Sequence, residues 1–394
     1  MQIGVFTDSY LPYTSGVVSS IESFTQELRK LGHGVFIFAP RYPHSMNKNC
    51  DGDEEGVFRF ASIPAPTNRD FTLAVPFSWR FKPAIDKLHL DVIHVHSPFL
   101  LGRLGARYAK KRGIPLVFTF HTLYDHYLHY IPFNQNVTRE ITQKLCSDFC
   151  NNCDQIIVPT SIIGDYIKNF GVNTPVTKLP TGINLDDYAK IDTEWLRNNY
   201  NIPERQKILL FVGRLGKEKN VSFLISCFKQ IYSLLPETHL VMVGGGPEEQ
   251  ELKKTVTELN IKDNVVFTGI LPKSEVIKCY AGSDLFVFPS VTETQGLVIA
   301  EAKAGGLPVI AVNAFGSSEM VFNGEDGFLT DFTEAAFIEK VLLLLREDKL
   351  RDDMSKQARL NVIQISSRNC ALELVEIYSS LINNRLDENL LKNY

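Results

Sequence analysis

The sequence predicts an α/β fold of two successive doubly wound, Rossmann-like domains. Three observations carry that prediction. Short apolar runs of strand length alternate with stretches of helical period almost throughout, the pattern of right-handed crossover units on a parallel sheet. The alternation pauses once, at the polar Pro180-Thr181-Gly182-Ile183-Asn184, and then restarts. A chain of 394 residues is also too long for one ordinary core.

In chain order, Gln2–Thr7, Gly34–Ala39, Val92–His96, Leu116–His121 and Gln155–Pro159 read as buried parallel strands, with amphipathic helices at Ile21–Leu31 and Leu101–Arg112 between them. After the pause, strands are expected at Lys207–Val212, His239–Val243, Val265–Thr268, Leu285–Phe288 and Leu307–Ala311, and helices at Val221–Leu235 and Glu248–Leu259. These runs set the expected domains at 1–185 and 186–367. A last helix, about 368–394, is expected to pack back onto the first domain through Leu372, Val375, Tyr378, Leu381 and Ile382. Ligands in such sheets bind at the carboxyl ends of the strands, so the loops there carry the chemistry, and two facing domains would enclose a cleft.

Apolar residues make up 44% and charged residues 22% of the chain, the range of soluble globular proteins. No run approaches about 18 uninterrupted apolar residues, so no membrane-spanning helix is expected. Met1-Gln2-Ile3-Gly4-Val5-Phe6 reads as a first strand rather than a secretion signal, and a cytoplasmic protein is expected. Seven scattered cysteines do not form a disulfide framework. Cys146, Cys150 and Cys153 share one helix face, either as small core residues or, with a fourth ligand that no segment signposts, as a metal site. Residues 1–185 hold 18 Lys+Arg against 15 Asp+Glu, whereas 186–394 hold 23 against 30, which suggests that the first half meets something anionic.

The strongest chemical constellation is Glu293-Thr294-Gln295-Gly296-Leu297-Val298-Ile299-Ala300-Glu301. It follows an apolar strand, and Gly296-Leu297 opens a helix whose free N–H groups suit a diphosphate. Glu293 before the helix and Glu301 in its second turn can accept hydrogen bonds from sugar hydroxyls; the plain alternative is a helix-dipole acid plus a solvated acid. A second constellation, Gly213-Arg214-Leu215-Gly216-Lys217-Glu218-Lys219-Asn220, comes straight off another strand. A departing nucleoside diphosphate needs cationic stabilisation, which Arg214 and Lys219 supply without a metal. His121 ends a strand, where a site residue belongs in this architecture, whereas His94 and His96 read as structural. Val243-Gly244-Gly245-Gly246-Pro247 lacks dinucleotide spacing and reads as a turn beside the donor cleft. Asp51-Gly52-Asp53 reads as a solvated turn rather than a metal-binding acid pair.

Gly213-Arg214 with Lys219, then Glu293 and Glu301 with seven residues between them, resemble the signature of glycosyltransferase family four, of the GT-B fold. Ser15-Gly16-Val17 and His121 fit as well, so the resemblance spans nearly the whole chain, although Ser15 replaces the first glycine of the family's usual pair. The resemblance implies a retaining, metal-independent hexosyltransferase with a nucleotide-sugar donor, no cofactor and no nucleic acid partner. It assigns Arg214 and Lys219 to the diphosphate, Glu301 to the ribose, Glu293 to the transferred sugar, and Gly16 to a close approach of the first-domain loop. It places His121 beside the sugar, lets Gln295, Gly296 and Leu297 line the donor, and gives Ile270 and Leu271 of Thr268-Gly269-Ile270-Leu271-Pro272 to the nucleobase.

Phe71, Leu73, Val75, Phe77, Trp79 and Phe81 alternate with smaller, polar or basic residues, and Pro76 argues against a central strand. The segment is either a core-facing strand or an aromatic loop that enters a bilayer interface. Arg103, Arg107, Lys110, Lys111 and Arg112 make the following helix basic, which fits either an anionic lipid surface or a solvated face. Phe6-Thr7-Asp8-Ser9-Tyr10-Leu11-Pro12, the segment His121–Tyr130 with Tyr124 and Tyr127, and Glu293-Thr294-Gln295-Gly296-Leu297 resemble the bacterial diacylglycerol glucosyltransferases of this family. That resemblance implies UDP-glucose as donor, a membrane lipid as acceptor, and peripheral attachment to the inner face of the cell membrane. The rival readings are transfer to a soluble acceptor, a nucleotide-sugar epimerase on the same frame, and a non-catalytic binding module.

Overall fold

The computed structural model describes residues 1–42, 55–64, 72–77, 81–124 and 135–392. The chain forms two compact units, Met1–Gly182 with Ser367–Tyr394, and Ile183–Ser366. The break falls after Gly182 rather than after 185, because the Ile183 amide donates to the Ile365 carbonyl at 2.9 Å and so joins the second unit.

The first unit is built on seven parallel strands in the spatial order Val57–Phe60, Gly34–Pro40, Gln2–Phe6, Val92–Val95, Leu116–Thr119, Gln155–Val158 and Val176–Lys178. Val5 pairs with Ile37 on one side and with His94 on the other. The chain thus leaves Gln2–Phe6 in one direction and later returns to its opposite edge. Between Gln2–Phe6 and Val92–Val95 the winding reverses, and loops leaving the carboxyl ends there diverge to leave a binding crevice. Helix Gly16–Lys30 starts at Ser15, whose hydroxyl accepts from the Val18 amide at 3.3 Å, and buries Val18, Ile21, Phe24 and Leu28 at helical spacing.

The C-terminal helix Ser367–Lys392 packs against Gly16–Lys30 and belongs to the first unit. Its buried stripe is Cys370, Ala371, Leu374 and Tyr378, while Leu372 is exposed. The stripe expected from Leu372 is therefore corrected by about one residue at its start; the small Cys370 and Ala371 take the close-packed positions.

The second unit holds six parallel strands in the order Val265–Gly269, Thr238–Val243, Lys207–Val212, Leu285–Phe288, Val309–Val312 and Gly327–Thr330. Leu209, Leu210, Phe211, Leu240, Val241, Met242, Phe286, Val287, Val309 and Ile310 are fully buried. Helices cover both faces of such a sheet, which is why its strands read as unbroken apolar runs. Each large side chain so buried contributes about 1.5–3 kcal/mol. The winding reverses between Lys207–Val212 and Leu285–Phe288.

Five strands were not expected: Val57–Phe60, Val176–Lys178 and Gly327–Thr330, and the antiparallel pair Ser62–Pro64 with Thr72–Ala74. The last pair corrects both readings of the aromatic segment in part. Thr72 and Ala74 are buried, Val75 and Phe77 are exposed, and Phe81 opens helix Phe81–Leu88 with its ring edge-on to Phe6 and Phe38. Phe71, Trp79 and Arg80, and the turn Asp51-Gly52-Asp53, lie outside the described residues, as does Tyr127.

Helix Leu297–Ala304 is held from below by an ion pair. Lys303 Nζ lies 2.6 Å from Asp326 Oδ2, and the two side chains are 3% and 0% exposed. Lys303 also donates to the Met320 carbonyl at 3.0 Å, Asn361 donates to Asp326 Oδ2 at 2.8 Å, and the Phe322 amide donates to Asp326 Oδ1 at 2.9 Å. A pair this well satisfied tolerates burial, but losing one partner strands the other charge. Asp326→Ala is expected to destabilise the second unit by about 3–5 kcal/mol, and Lys303→Met with Asp326→Leu by clearly less. Chemical denaturation of both variants checks this; equal losses would refute it.

Candidate functional site

In the second unit the site is built from the loops that leave the carboxyl ends of the strands around the winding reversal. After Lys207–Val212 the chain runs through Gly213–Gly216 and one short turn, Lys217–Lys219, before helix Val221–Leu234. After Leu285–Phe288 it runs through Pro289–Gly296 into helix Leu297–Ala304. Side chains stitch the two loops together: Asn220 Nδ2 donates to the Pro289 carbonyl at 3.2 Å, and Ser290 and Thr292 hydroxyls donate to the Glu218 carbonyl, each at 3.4 Å. Across the seam the Lys219 ammonium donates to Glu293 Oε1, the same oxygen that accepts from the Ser290 hydroxyl at 2.7 Å. Both partners are mostly buried, at 16% and 15% exposure, and Lys219 also sits 6.0 Å from the centre of the Phe288 ring. Arg214 is exposed on the first of these loops.

A third loop locks the first. The Gly213 amide donates to the Val243 carbonyl, the Leu215 amide to the Gly245 carbonyl and the Glu248 amide to the Leu215 carbonyl, all at 3.0 Å. This backbone zipper needs glycine. At Gly244, where φ is +130°, a Cβ would sit 2.1 Å from the Gly213 carbonyl oxygen, and at Gly246 it would sit 2.3 Å from that of Leu215. The Gly244 amide reaches on to the Gly269 carbonyl at 2.9 Å, which fixes the fourth loop; there Ile270 is 82% exposed while Leu271 packs onto the core.

Gly296 starts helix Leu297–Ala304 with φ at +81°, a left-handed conformation that an L side chain rarely adopts. The Gly316 amide holds the Glu293 carbonyl at 2.8 Å. Gln295 is buried and Leu297 is partly buried against the core. Glu301 Oε2 accepts from the Tyr280 hydroxyl at 2.9 Å. Burial pushes the Glu301 carboxyl above its ordinary range, against the pull of that hydrogen bond and of the Lys273 charge. The structure thus brings Lys219 and Glu293 into contact and sets Arg214, Gly296 and Glu301 on loops and a helix of the same sheet end. That assembly offers cations, a helix N-terminus and two carboxylates to a polyanionic, polyhydroxylated ligand.

In the first unit Gly16 opens its helix with nothing within 4 Å of where a Cβ would lie. At the reversal, the Asp8 carboxylate accepts from the Ser97 hydroxyl and from the Leu101 amide, the latter at 2.9 Å. Next to it three imidazoles stack. His94 and His96 lie 4.2 Å apart by ring centres, His96 and His121 lie 5.1 Å apart, and His96 Nδ1 is 2.8 Å from His121 Nε2. His94 is spanned by Tyr378 on Nδ1 and Thr119 on Nε2, both at 2.6 Å. Burial lowers the pKa of His94 and of His121 to about 3 and that of His96 well below its usual value, so the stack is neutral. One proton then lies between His96 and His121, and the tautomer of His96 decides whether the remaining nitrogen of His121 donates or accepts.

Of the acceptor candidates, Arg103, Arg107, Lys110 and Lys111 are exposed along helix Leu100–Arg112. Tyr124 packs edge-on against Phe99 and Phe120. Cys146, Cys150 and Cys153 are buried free thiols. Among the described residues no group of three His, Cys, Asp or Glu side chains is placed to hold a metal ion, and no helix is long and apolar enough to cross a membrane.

Residues 14–187 match the family described as Glycosyltransferase Family 4, and residues 192–361 match Glycosyl transferases group 1. The chain is 30% identical to the alpha-monoglucosyldiacylglycerol synthase of Streptococcus pneumoniae, over 100% of this chain and 89% of that protein. It is equally identical to the protein of the same name from Acholeplasma laidlawii, over 97% and 98%. The chain belongs to glycosyltransferase family 4. Solved structures agree on the GT-B fold: sucrose-phosphate synthase from Thermosynechococcus elongatus superimposes with a TM-score of 0.79 at 21% identity, covering 98% of this chain and 100% of that one. Anabaena HepE in complex with UDP gives 0.77 at 18%, covering 96% and 100%.

Sequence reasoning on this glycosyltransferase missed Ser290, Tyr280 and the pairing of His96 with His121. Only the last had a signal, since His94 and His96 share one face of a strand that ends where His121 ends.

Two outcomes follow for the family-4 enzyme. Gly244→Ala is expected to destabilise the second unit by several kcal/mol, since backbone rather than a flexible side chain meets the new methyl; thermal denaturation checks it. The three histidines bind protons when unfolded but not when folded. The stability they contribute is full above about pH 6.5 and is lost as pH falls toward about 3, at roughly 1.4 kcal/mol per pH unit for each ring. A urea midpoint for the first unit that stays flat from pH 7 to pH 5 would contradict this.

Proposed function

We propose that this glycosyltransferase is retaining and metal-independent, and that it moves glucose from UDP-glucose to diacylglycerol or a related membrane lipid. The observation that carries the reading is the Lys219–Glu293 contact across the winding reversal, with Arg214 on the same loop. Two cations and a helix N-terminus meet the need of a leaving diphosphate, and a carboxylate beside them meets that of a sugar hydroxyl. The lipid acceptor is supported by full-length similarity to the two alpha-monoglucosyldiacylglycerol synthases, and by the exposed Phe77 and the basic face of helix Leu100–Arg112.

In this reading Arg214 and Lys219 neutralise the diphosphate, Gly296 and Leu297 present amide groups to it, Glu293 holds the transferred sugar and Glu301 the ribose. Ile270 and Leu271 flank the nucleobase, and Gln295 shapes the loop between them. From the first unit the reading takes Gly16, for close approach to phosphate, and His121, for the sugar. Tyr124, with Arg103, Arg107, Lys110 and Lys111, belongs to the acceptor side. The acceptor oxygen attacks the anomeric carbon on the face from which the diphosphate leaves. The C1–O bond to the diphosphate breaks as the new one forms, and the acceptor proton passes to a diphosphate oxygen. Configuration at C1 is retained without a carboxylate nucleophile.

The test is incubation with UDP-glucose, with and without diacylglycerol vesicles. Lipid-dependent UDP release and an α-glucosyl lipid are expected, unchanged by EDTA. GDP-mannose belongs in the same screen, because GDP-mannose-dependent alpha-mannosyltransferases are 27–28% identical over 84–85% of the chain. An isomerised sugar would indicate an epimerase, and UDP release with only soluble acceptors would move the acceptor. Lys219→Ala and Arg214→Ala are each expected to lower kcat by about 10²–10³-fold; near-full activity in both would remove the site assignment.

A further inference from the structure

Glu301 is an incomplete hydrogen-bonding group. Tyr280 occupies Oε2, and among the described residues no hydrogen bond reaches Oε1. The carboxyl is desolvated enough for its pKa to rise, and its charge is felt by the buried hydroxyl of Tyr188 as well as that of Tyr280. Glu301 is partly buried, and Oε1 is not among the enclosed atoms, so this oxygen is open to a donor from outside the protein.

Tyr280 itself is enclosed on all sides. It is fully buried near the end of helix Lys273–Ala281, its ring lies 5.8 Å from that of Phe286, and Gly305 leaves the space it fills, since a Cβ there would come within 2.7 Å of the Tyr280 Cβ. A fixed hydroxyl on one carboxylate oxygen fixes the rotamer of the carboxylate and so the direction of the other oxygen. Nothing in the donor-site reading of Glu301 requires this tyrosine.

We infer that Tyr280 is a positioning residue: it anchors Oε2 of Glu301 so that Oε1 is presented to the ribose diol of the nucleotide, and it thereby sets the preference of the site for ribo- over dideoxyribonucleotides. The inference rests on the donor-site reading above. Its consequence is selective. Removing the anchor weakens binding of a nucleotide that carries the diol and leaves one that lacks it almost untouched.

Calorimetric titration of the full-length protein with UDP and with 2′,3′-dideoxy-UDP separates the cases. The native protein is expected to prefer UDP, and Tyr280→Phe to bind UDP about tenfold more weakly with little change for the dideoxy compound. Equal weakening of both nucleotides, or no change in either, would mean that the tyrosine only supports the fold and would overturn the inference while leaving the donor site standing. Failure of the native protein to bind UDP would overturn the donor-site reading, and the inference with it. Should Tyr280→Phe not fold, Tyr280→Met, apolar and smaller, takes its place in the same two titrations; a weaker grip on UDP alone is expected there, and equal weakening of both nucleotides or no change in either refutes the anchoring role.

Discussion

The second unit's chemistry depends on one contact, the Lys219 ammonium against the Glu293 carboxylate, between residues 74 positions apart in the chain. Lys219 rests over the Phe288 ring, and Glu293 is steadied by Ser290, so each charge has a second support that outlasts exchange of the first. A pair this secluded draws little net stability from its own attraction, because desolvation offsets much of it. What it supplies is placement. In the proposed reading, an arriving diphosphate meets a cation already ordered and a sugar hydroxyl meets a carboxylate already placed, so little ordering remains for binding to overcome.

That placement is a property of the backbone before it is a property of side chains. The reversal of winding between Lys207–Val212 and Leu285–Phe288 parts the connecting helices and leaves two loops facing one another. The glycines of the Val243–Pro247 turn let a third loop lie against the first with carbonyl and amide in contact, and no residue with a Cβ could do so at Gly244. The buried Lys303–Asp326 pair anchors the helix that carries Glu301 from the side opposite the site. Flexible side chains thus act from a frame that offers them few alternatives.

The parts legible in the sequence were those fixed by local pattern. The central strands of both sheets announce themselves because burial on both faces demands unbroken apolar runs, as in Leu209-Leu210-Phe211 and Phe286-Val287-Phe288. Edge strands escape that demand: Val176–Lys178 has no fully buried residue, and Gly327–Thr330 opens with a glycine. The loop residues Arg214, Lys219 and Glu293 were legible through their spacing after strands, and the structure puts the last two in contact. The contact of Tyr280 with Glu301 was not legible, because it comes from a helix packing beside Glu301, and a tyrosine in an amphipathic helix reads as core. The C-terminal stripe was misjudged at its start for a similar reason: small residues at Cys370 and Ala371 take the tightest contacts, while the larger Leu372 is turned to solvent.

The net charge of a half and the charge at its sheet end are separate quantities, and the reason is physical. The acidic half of the chain carries Arg214 and Lys219 at its sheet end, while the basic half spends its cations on the outer face of helix Leu100–Arg112 and surrounds its own winding reversal with neutral imidazoles. Fields from distant surface charges are screened within about 8 Å at physiological ionic strength, whereas a mostly buried ion pair is screened far less. The sign of a whole unit is therefore not the sign at its sheet end. Burial keeps three histidines neutral there, and their ring nitrogens bond within the protein: His94 to Tyr378 and Thr119, and His96 to His121. In both units the same cause is at work: these side chains stand at strand ends beside a reversal of winding, where the fold desolvates them.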